Sequence, residues 1–492
     1  LYKFIKRFNK KGLMRLKLIK RIAVSAVAAC MVLAVLSCGE KTADNGATDM
    51  PVLKWYLPGT EQADADAVGE KINEILSEKI GCKLDIEYVD DSVYREKIAM
   101  LTDNGDTFDL CFVGYLNPYA NMIERGGLMP INEYLDNAPG LDGILPDYAL
   151  SAIDFGGKIY AFPNMQIFAS CTGLYIREDL FSEYGKLDIN SIEKVQDLEP
   201  FFEWVKTAHP EVYPFKTGYG SGLGKEYGYG VEEEICTGVF VTNTDGVLKA
   251  ENEFCLPNRL DEARLMREYY EKGYIRSDEA GASASANDSY AAWRGVYKPD
   301  GDVEYSNAAG KKIIGINLSR KGEINSKSIK NTMTGVGAKS RYPKLAVQII
   351  ELMNTDKELY NLVSFGIEGK HYKKVGENRI EPISGSGYDP GRTWRFANQF
   401  NAYILPGKSD DVWEQTKKLN DEAYISKLIG FSFKNDNVRD EIAQVEVVSK
   451  KYSSMYKGFL PLESYYDDFL KELEDAGIGR IIDEVNKQLE EK

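Results

Sequence analysis

The sequence predicts an α/β protein built as two lobes, with a helical C-terminal region. Two observations carry that expectation. Between Val52 and Gly114 the residue pattern alternates strand, helix, strand, helix, strand, which implies a parallel sheet with helices on its faces. Roughly 455 residues follow the N-terminal leader, too many for one hydrophobic core.

The leader, residues 1–37, is set aside from the fold. Nine basic residues and no acidic ones precede Cys38, and Ile22 to Cys38 is apolar or small throughout. That run is shorter than the roughly 20 residues that span a bilayer, so it reads as a secretory signal rather than an uncut anchor. Val35-Leu36-Ser37-Cys38 resembles the lipobox of bacterial lipoproteins. The resemblance implies cleavage before Cys38, a lipid such as palmitate on its thiol, and a protein tethered to the extracytoplasmic face of the cell membrane. Residues 38–51, polar and small, form a flexible tether.

Removing the nine positive charges of the leader takes the net charge from −15 to −24. So acidic a chain argues against nucleic acid and against electrostatic docking on anionic lipid. Of the seven Cys, Cys30 lies in the leader and Cys38 is the lipid site. Cys82, Cys111, Cys171, Cys236 and Cys255 show no Cys-x-x-Cys spacing, and Cys82 and Cys111 sit in apolar runs that read as buried thiols. His209 and His371 are far apart, against a His-based triad or metal site. No metal or other cofactor is expected.

Taken in order, Val52 to Leu57 reads as a strand ended by Pro58-Gly59. Val68, Ile72, Ile75, Leu76 and Ile80 have helical spacing, closed by Gly81. Cys82, Leu84, Ile86 and Tyr88 alternate with charged residues as a strand does. A helix from about Ser92 to Leu101 precedes Phe108 to Gly114, apolar as a buried parallel strand should be. Ligands in such sheets sit beyond the carboxyl ends of the strands. Trp55, Tyr56, Tyr115 and Asn117 stand near two of those ends and are candidate ligand contacts. Thr217 to Gly230 is Gly-rich, and Ala280 to Ser289 is small and polar. Trp293 beside the second stretch, and Trp394 between Arg392 and Arg395, are the candidates from the other lobe. Ala346, Ile349, Ile350 and Met353 mark an amphipathic helix suited to cover the first sheet, and Val438 to Lys492 reads as two or three helices.

Gly126 to Leu135, Gly156 to Pro163 and Leu174 to Leu180 resemble, in order and spacing, the extracellular solute-binding lipoproteins of ABC importers. Leu362 to Tyr372 (LVSFGIEGKHY), Trp394 to Phe400 and Gly430 to Phe433 resemble a branch of that family with a C-terminal domain of uncharacterised role. The resemblance implies a two-lobed periplasmic-binding-protein-like fold of type II with discontinuous lobes. Residues 52–163 and 322–383 would form lobe I; residues 164–321 and 384–492 would form lobe II and the helical region. It further implies capture of a small solute, a sugar or oligosaccharide, in the interlobe cleft and delivery to ABC permease subunits.

No phosphate loop, nucleophile elbow or metal-ligand cluster points to catalysis, so the chain is not expected to be an enzyme. Two other readings stay open: a non-transporting surface glycan-binding lipoprotein or sensor, and a surface glycosidase using two carboxylates.

Overall fold

The computed structural model describes residues 50–216, 231–276, 289–319 and 321–491. Cys38 with its leader, nearly all of the tether, Thr217 to Gly230 and most of Ala280 to Ser289 lie outside them.

The strands in the first half of the chain are β1 (Val52–Pro58), β2 (Lys83–Val89), β3 (Leu110–Gly114), β4 (Ala161–Pro163), β5 (Thr172–Arg177) and β6 (Tyr213–Lys216). They continue with β7 (Val231–Cys236), β8 (Val239–Thr244), β9 (Val247–Asn252), β10 (Tyr290–Val296) and β11 (Ile313–Asn317). The last are β12 (Glu323–Ile324), β13 (Thr332–Val336), β14 (Tyr372–Lys374), β15 (Ile380–Pro382) and β16 (Tyr424–Ile425).

The first lobe holds a five-stranded sheet in the order β2-β1-β3-β13-β4. Strands β1, β2 and β3 are parallel, as the strand–helix alternation requires, and β13 returns antiparallel from late in the chain. Val68, Ile72 and Leu76 form the buried stripe of helix Ala65–Ile80, which Gly81 ends in the left-handed region at φ 69°. Helix Pro343–Thr355 buries Ala346, Val347, Ile349, Ile350 and Met353 in the same core. Burial holds Cys82 and Cys111 as apolar thiols and pushes the Cys82 pKa up to about 11.

The second lobe holds a mixed sheet, β11-β5-β10-β6, over an aromatic core that includes Phe201, Phe202, Phe215 and Tyr269. A third apolar core lies apart from both. It joins the antiparallel sheet β7-β8-β9 to helices Arg439–Tyr456, Leu462–Asp475 and Ile478–Glu490 through Val239, Val241, Phe254, Val445, Phe469 and Ile481.

Two features of the lobe boundaries differ from the expectation. The first core continues beyond Ile383 through Tyr388, Phe396, Ala397, Ala402 and Ala423, so the stretch that starts at residue 384 packs on the first lobe. The C-terminal helices share no core with β5, β6, β10 and β11, because they cover a sheet of their own.

Three passages of chain between the lobes run side by side. Ser170 and Glu323 exchange backbone hydrogen bonds of 2.8 and 3.2 Å, and Tyr424 N–H donates to the Gly322 carbonyl at 2.8 Å. Asn420 locks the first passage: its Oδ1 accepts from Phe168 N–H (2.8 Å) and Ala169 N–H (3.0 Å), and its Nδ2 donates to the Gln166 carbonyl (2.8 Å).

Candidate functional site

Between the lobes lies a cavity of about 1360 Å³, and a second of about 640 Å³ shares part of its wall. Trp394 and Trp413 line both chambers, together with Arg392, Gln399, Lys408, Lys298 and Glu304. The inner end of the larger chamber is the crossing itself, at Gln166 to Ser170 and Glu323. This is a crevice with aromatic faces and convergent polar groups, the composition expected of a site for a flat, hydroxyl-rich ligand.

Trp394 is positioned from beneath by Arg395, whose side chain is 2 % exposed. Arg395 gathers the carboxyl ends of three parallel strands. Its Nη1 donates to the Pro58 carbonyl at the end of β1. Its Nη2 donates to Asp91 just beyond β2 (2.7 and 3.1 Å) and to the Tyr115 hydroxyl just beyond β3 (2.9 Å). Tyr115 then meets the Trp394 ring edge-on at 5.9 Å between centroids. From the other side Asn164, at the end of β4, donates to the carbonyls of Trp394 (3.1 Å) and Arg395 (2.9 Å). Trp413 is fixed through its Nε1–H, which donates to the Ala402 carbonyl at 2.9 Å, and Lys408 Nζ lies 5.8 Å from its ring centre.

Charged residues join the lobes across the crevice. Glu304 of the second lobe receives Lys298 Nζ at 2.5 Å and Lys408 Nζ, from the first-lobe side, at 2.6 Å. Burial acts to raise the Glu304 carboxyl, but these two ammonium groups outweigh it and hold its pKa below the ordinary carboxylate value. On the wall formed by the third core, Glu232 is 1 % exposed and accepts from Tyr424 OH (2.6 Å), Asn243 Nδ2 (2.6 Å) and Lys427 N–H (2.9 Å).

The sequence candidates fall into three groups. Trp394 lines the cavity and Tyr115, which does not, meets the Trp394 ring, so these two are brought together. Trp55 (1 % exposed) and Tyr56 are buried in the first core. The reason is register: β1 pairs with β2 as far as Pro58↔Val89, so the strand ends at Pro58 and Trp55 lies three residues inside it, between neighbours on both sides. Asn117 is likewise buried, in a tight turn in which it and Gly114 exchange backbone hydrogen bonds. Trp293, 3 % exposed, lies inside β10 and stacks on Tyr175 at 6.0 Å; Tyr305, which packs on both rings, is the residue that faces the cavity. Trp413 escaped the sequence reading. Its place at the start of an amphipathic helix, Val412–Glu422, gives it the spacing of a core residue.

A search among solved structures finds this architecture in the N-glycan transport solute binding protein NgtS of Streptococcus pneumoniae. The two share 25 % identity with a TM-score of 0.81, over 90 % of this chain and 98 % of that one. This is the fold of an ABC-importer solute-binding protein. NgtS in complex with Man5GlcNAc is matched at 25 % identity and a TM-score of 0.71 over 90 % and 98 % of the two chains. Among curated sequences, a carbohydrate ABC transporter substrate-binding protein of S. pneumoniae serotype 4 is 27 % identical over 485 residues, 95 % of this chain and 97 % of that protein. A family described as a domain of unknown function (DUF3502) matches residues 427–491, the C-terminal helices of the third core. The chain shares that two-lobed fold, and its cavity of about 1360 Å³ lies between the lobes.

Proposed function

We propose that this chain captures a carbohydrate in the interlobe cavity and hands it to an ABC permease, held at the membrane by lipid on Cys38. The observation that carries the first part is the pairing of Trp394 and Trp413 in one crevice with Arg392, Gln399 and Lys408. Aromatic faces accept the C–H surface of a sugar ring, while amides, guanidinium and ammonium groups satisfy its hydroxyls. The likeness to NgtS and to the carbohydrate substrate-binding protein supports the same ligand class. The membrane part rests on the basic leader and on Val35-Leu36-Ser37-Cys38. Binding rather than catalysis is the role that the likeness to substrate-binding proteins supports, in a crevice where Trp394 and Trp413 offer surfaces for stacking.

Titration calorimetry of the chain from residue 39 onward, against mannose, N-acetylglucosamine and their oligosaccharides, tests the proposal. Saturable one-site binding is expected for at least one of them, with a rise in melting temperature; at 100 times the dissociation constant the gain is about 2.7 kcal/mol. Failure of every saccharide to bind or to raise the melting temperature would overturn the carbohydrate reading.

A further inference from the structure

Asn258, at the start of helix Pro257–Glu271, lines the larger chamber and is only 3 % exposed, yet its Oδ1 has no hydrogen-bond partner among the described residues. Buried amides are nearly always paired, and a group left unpaired in a native fold calls for an explanation. Beside it Arg259 Nη2 pairs with Glu253 Oε1 at 2.9 Å, with side chains 15 % and 10 % exposed, and both residues line the same corner. The Arg259 guanidinium also lies 5.3 Å from the ring centre of Tyr456, on the first C-terminal helix, so the corner is built against the third core. It belongs to the same cavity as Trp394 and Trp413 but to a different wall. At about 1360 Å³ this chamber exceeds the roughly 300–1,000 Å³ of a site for one drug-sized molecule.

We propose that Asn258, with the Arg259–Glu253 pair, forms a second saccharide subsite, which receives a hydroxyl or N–H donor from a ring beyond the one packed on Trp394 and Trp413. The inference rests on the carbohydrate reading. It gives the third core a role: the wall it supports selects for ligand length, because only an oligosaccharide reaches both walls. The unpaired Oδ1 is then the acceptor that the ligand satisfies, and a shorter ligand leaves it unsatisfied.

The test is calorimetry on wild type, Asn258→Ala and Asn258→Leu with two probes, the disaccharide Man1GlcNAc and the longer Man5GlcNAc. Leu keeps the approximate size of Asn and removes an unpaired buried polar group, so N258L is expected to melt at or above the wild-type temperature even if N258A melts early. The proposal expects N258L to lose about tenfold in affinity for the longer probe while its affinity for the disaccharide stays within twofold. Equal losses on both probes, or none on either, overturn the subsite and leave carbohydrate binding standing. Failure of the wild type to bind either probe overturns the proposal together with the reading on which it rests.

Discussion

Ser409 donates both its backbone N–H, at 2.8 Å, and its hydroxyl, at 2.5 Å, to one carboxylate oxygen of Asp300 across the interlobe cleft. With Lys408–Glu304–Lys298 next to it, this makes a clasp that holds the lobes in their present closure. Lobe closure is the step by which such proteins surround a ligand. The double variant Asp300→Ala, Glu304→Gln is therefore expected to open the molecule, seen as a larger radius of gyration in small-angle scattering, with little change in melting temperature. The clasp is also pH-dependent, and the sign follows from Glu304. Its carboxyl pKa is lowered from 4.5 in the closed arrangement, so the contribution is present above about pH 4.5 and is lost as pH falls through the lowered value. Wild type should open on acidification through that range, whereas the Gln variant should scatter alike on both sides of it.

Trp394 and Trp55 are predicted to behave oppositely. Trp394→Ala removes a ring face from the cavity and should weaken saccharide binding by more than tenfold, about 1.4 kcal/mol, with a near-normal melting curve. Trp55→Ala empties a fully packed position beneath the sheet and should destabilise the fold by about 3–5 kcal/mol. Measured by denaturant titration and calorimetry together, a stable Trp55→Ala protein with weak binding would reverse these assignments.

What could be read from the sequence was mostly what short-range pattern controls. The order of strands and helices up to Gly114 and the buried stripe of Pro343–Thr355 were legible because side-chain periodicity follows directly from backbone geometry. The site was less so. Trp55 looked like a strand-end residue because a Pro inside a strand argues for its end, and here Pro58 still pairs with Val89. Trp293 looked like a cavity residue because an aromatic run beside a small, polar stretch suggests exposure, whereas Tyr305, from the following helix, covers it. The third core was hidden by Glu232, Glu233 and Glu234, which mask β7 as a charged stretch; Glu232 is buried only because Tyr424, Asn243 and Lys427 reach it from distant parts of the chain. Nor does any local signal mark Arg395 as buried, since arginine is almost never so unless paired. Its partners Asp91 and Tyr115 lie about 300 residues away in sequence.

Cys38 is expected to carry lipid. In cells fed an alkyne-tagged palmitate, the wild-type chain should be labelled and Cys38→Ser should not. Equal labelling of the two would remove the anchor from the proposal without touching the binding site.

Arg395 supports the site without lining it. Its guanidinium is buried against Pro58, Asp91 and Tyr115, and the adjoining Trp394 ring centre lies 5.2 Å from its Cζ. Arg395→Met removes the charge and orphans the Pro58 carbonyl, while Asp91, one-third exposed, keeps its contact with Arg392. Breaking a buried pair from one side costs about 3–5 kcal/mol, and a partly solvated, still-paired Asp91 places this variant near the lower figure. Tyr115→Phe deletes only one hydrogen bond to a charged group, about 1.5–3 kcal/mol. If the three strand ends are held as one unit, the double variant should cost clearly less than the two single losses added together, the non-additivity expected of residues in contact. Both single variants should also weaken saccharide binding, because Trp394 loses the support that sets its ring. A pair of additive losses with unchanged affinity would show that Trp394 holds its position through Asn164 alone.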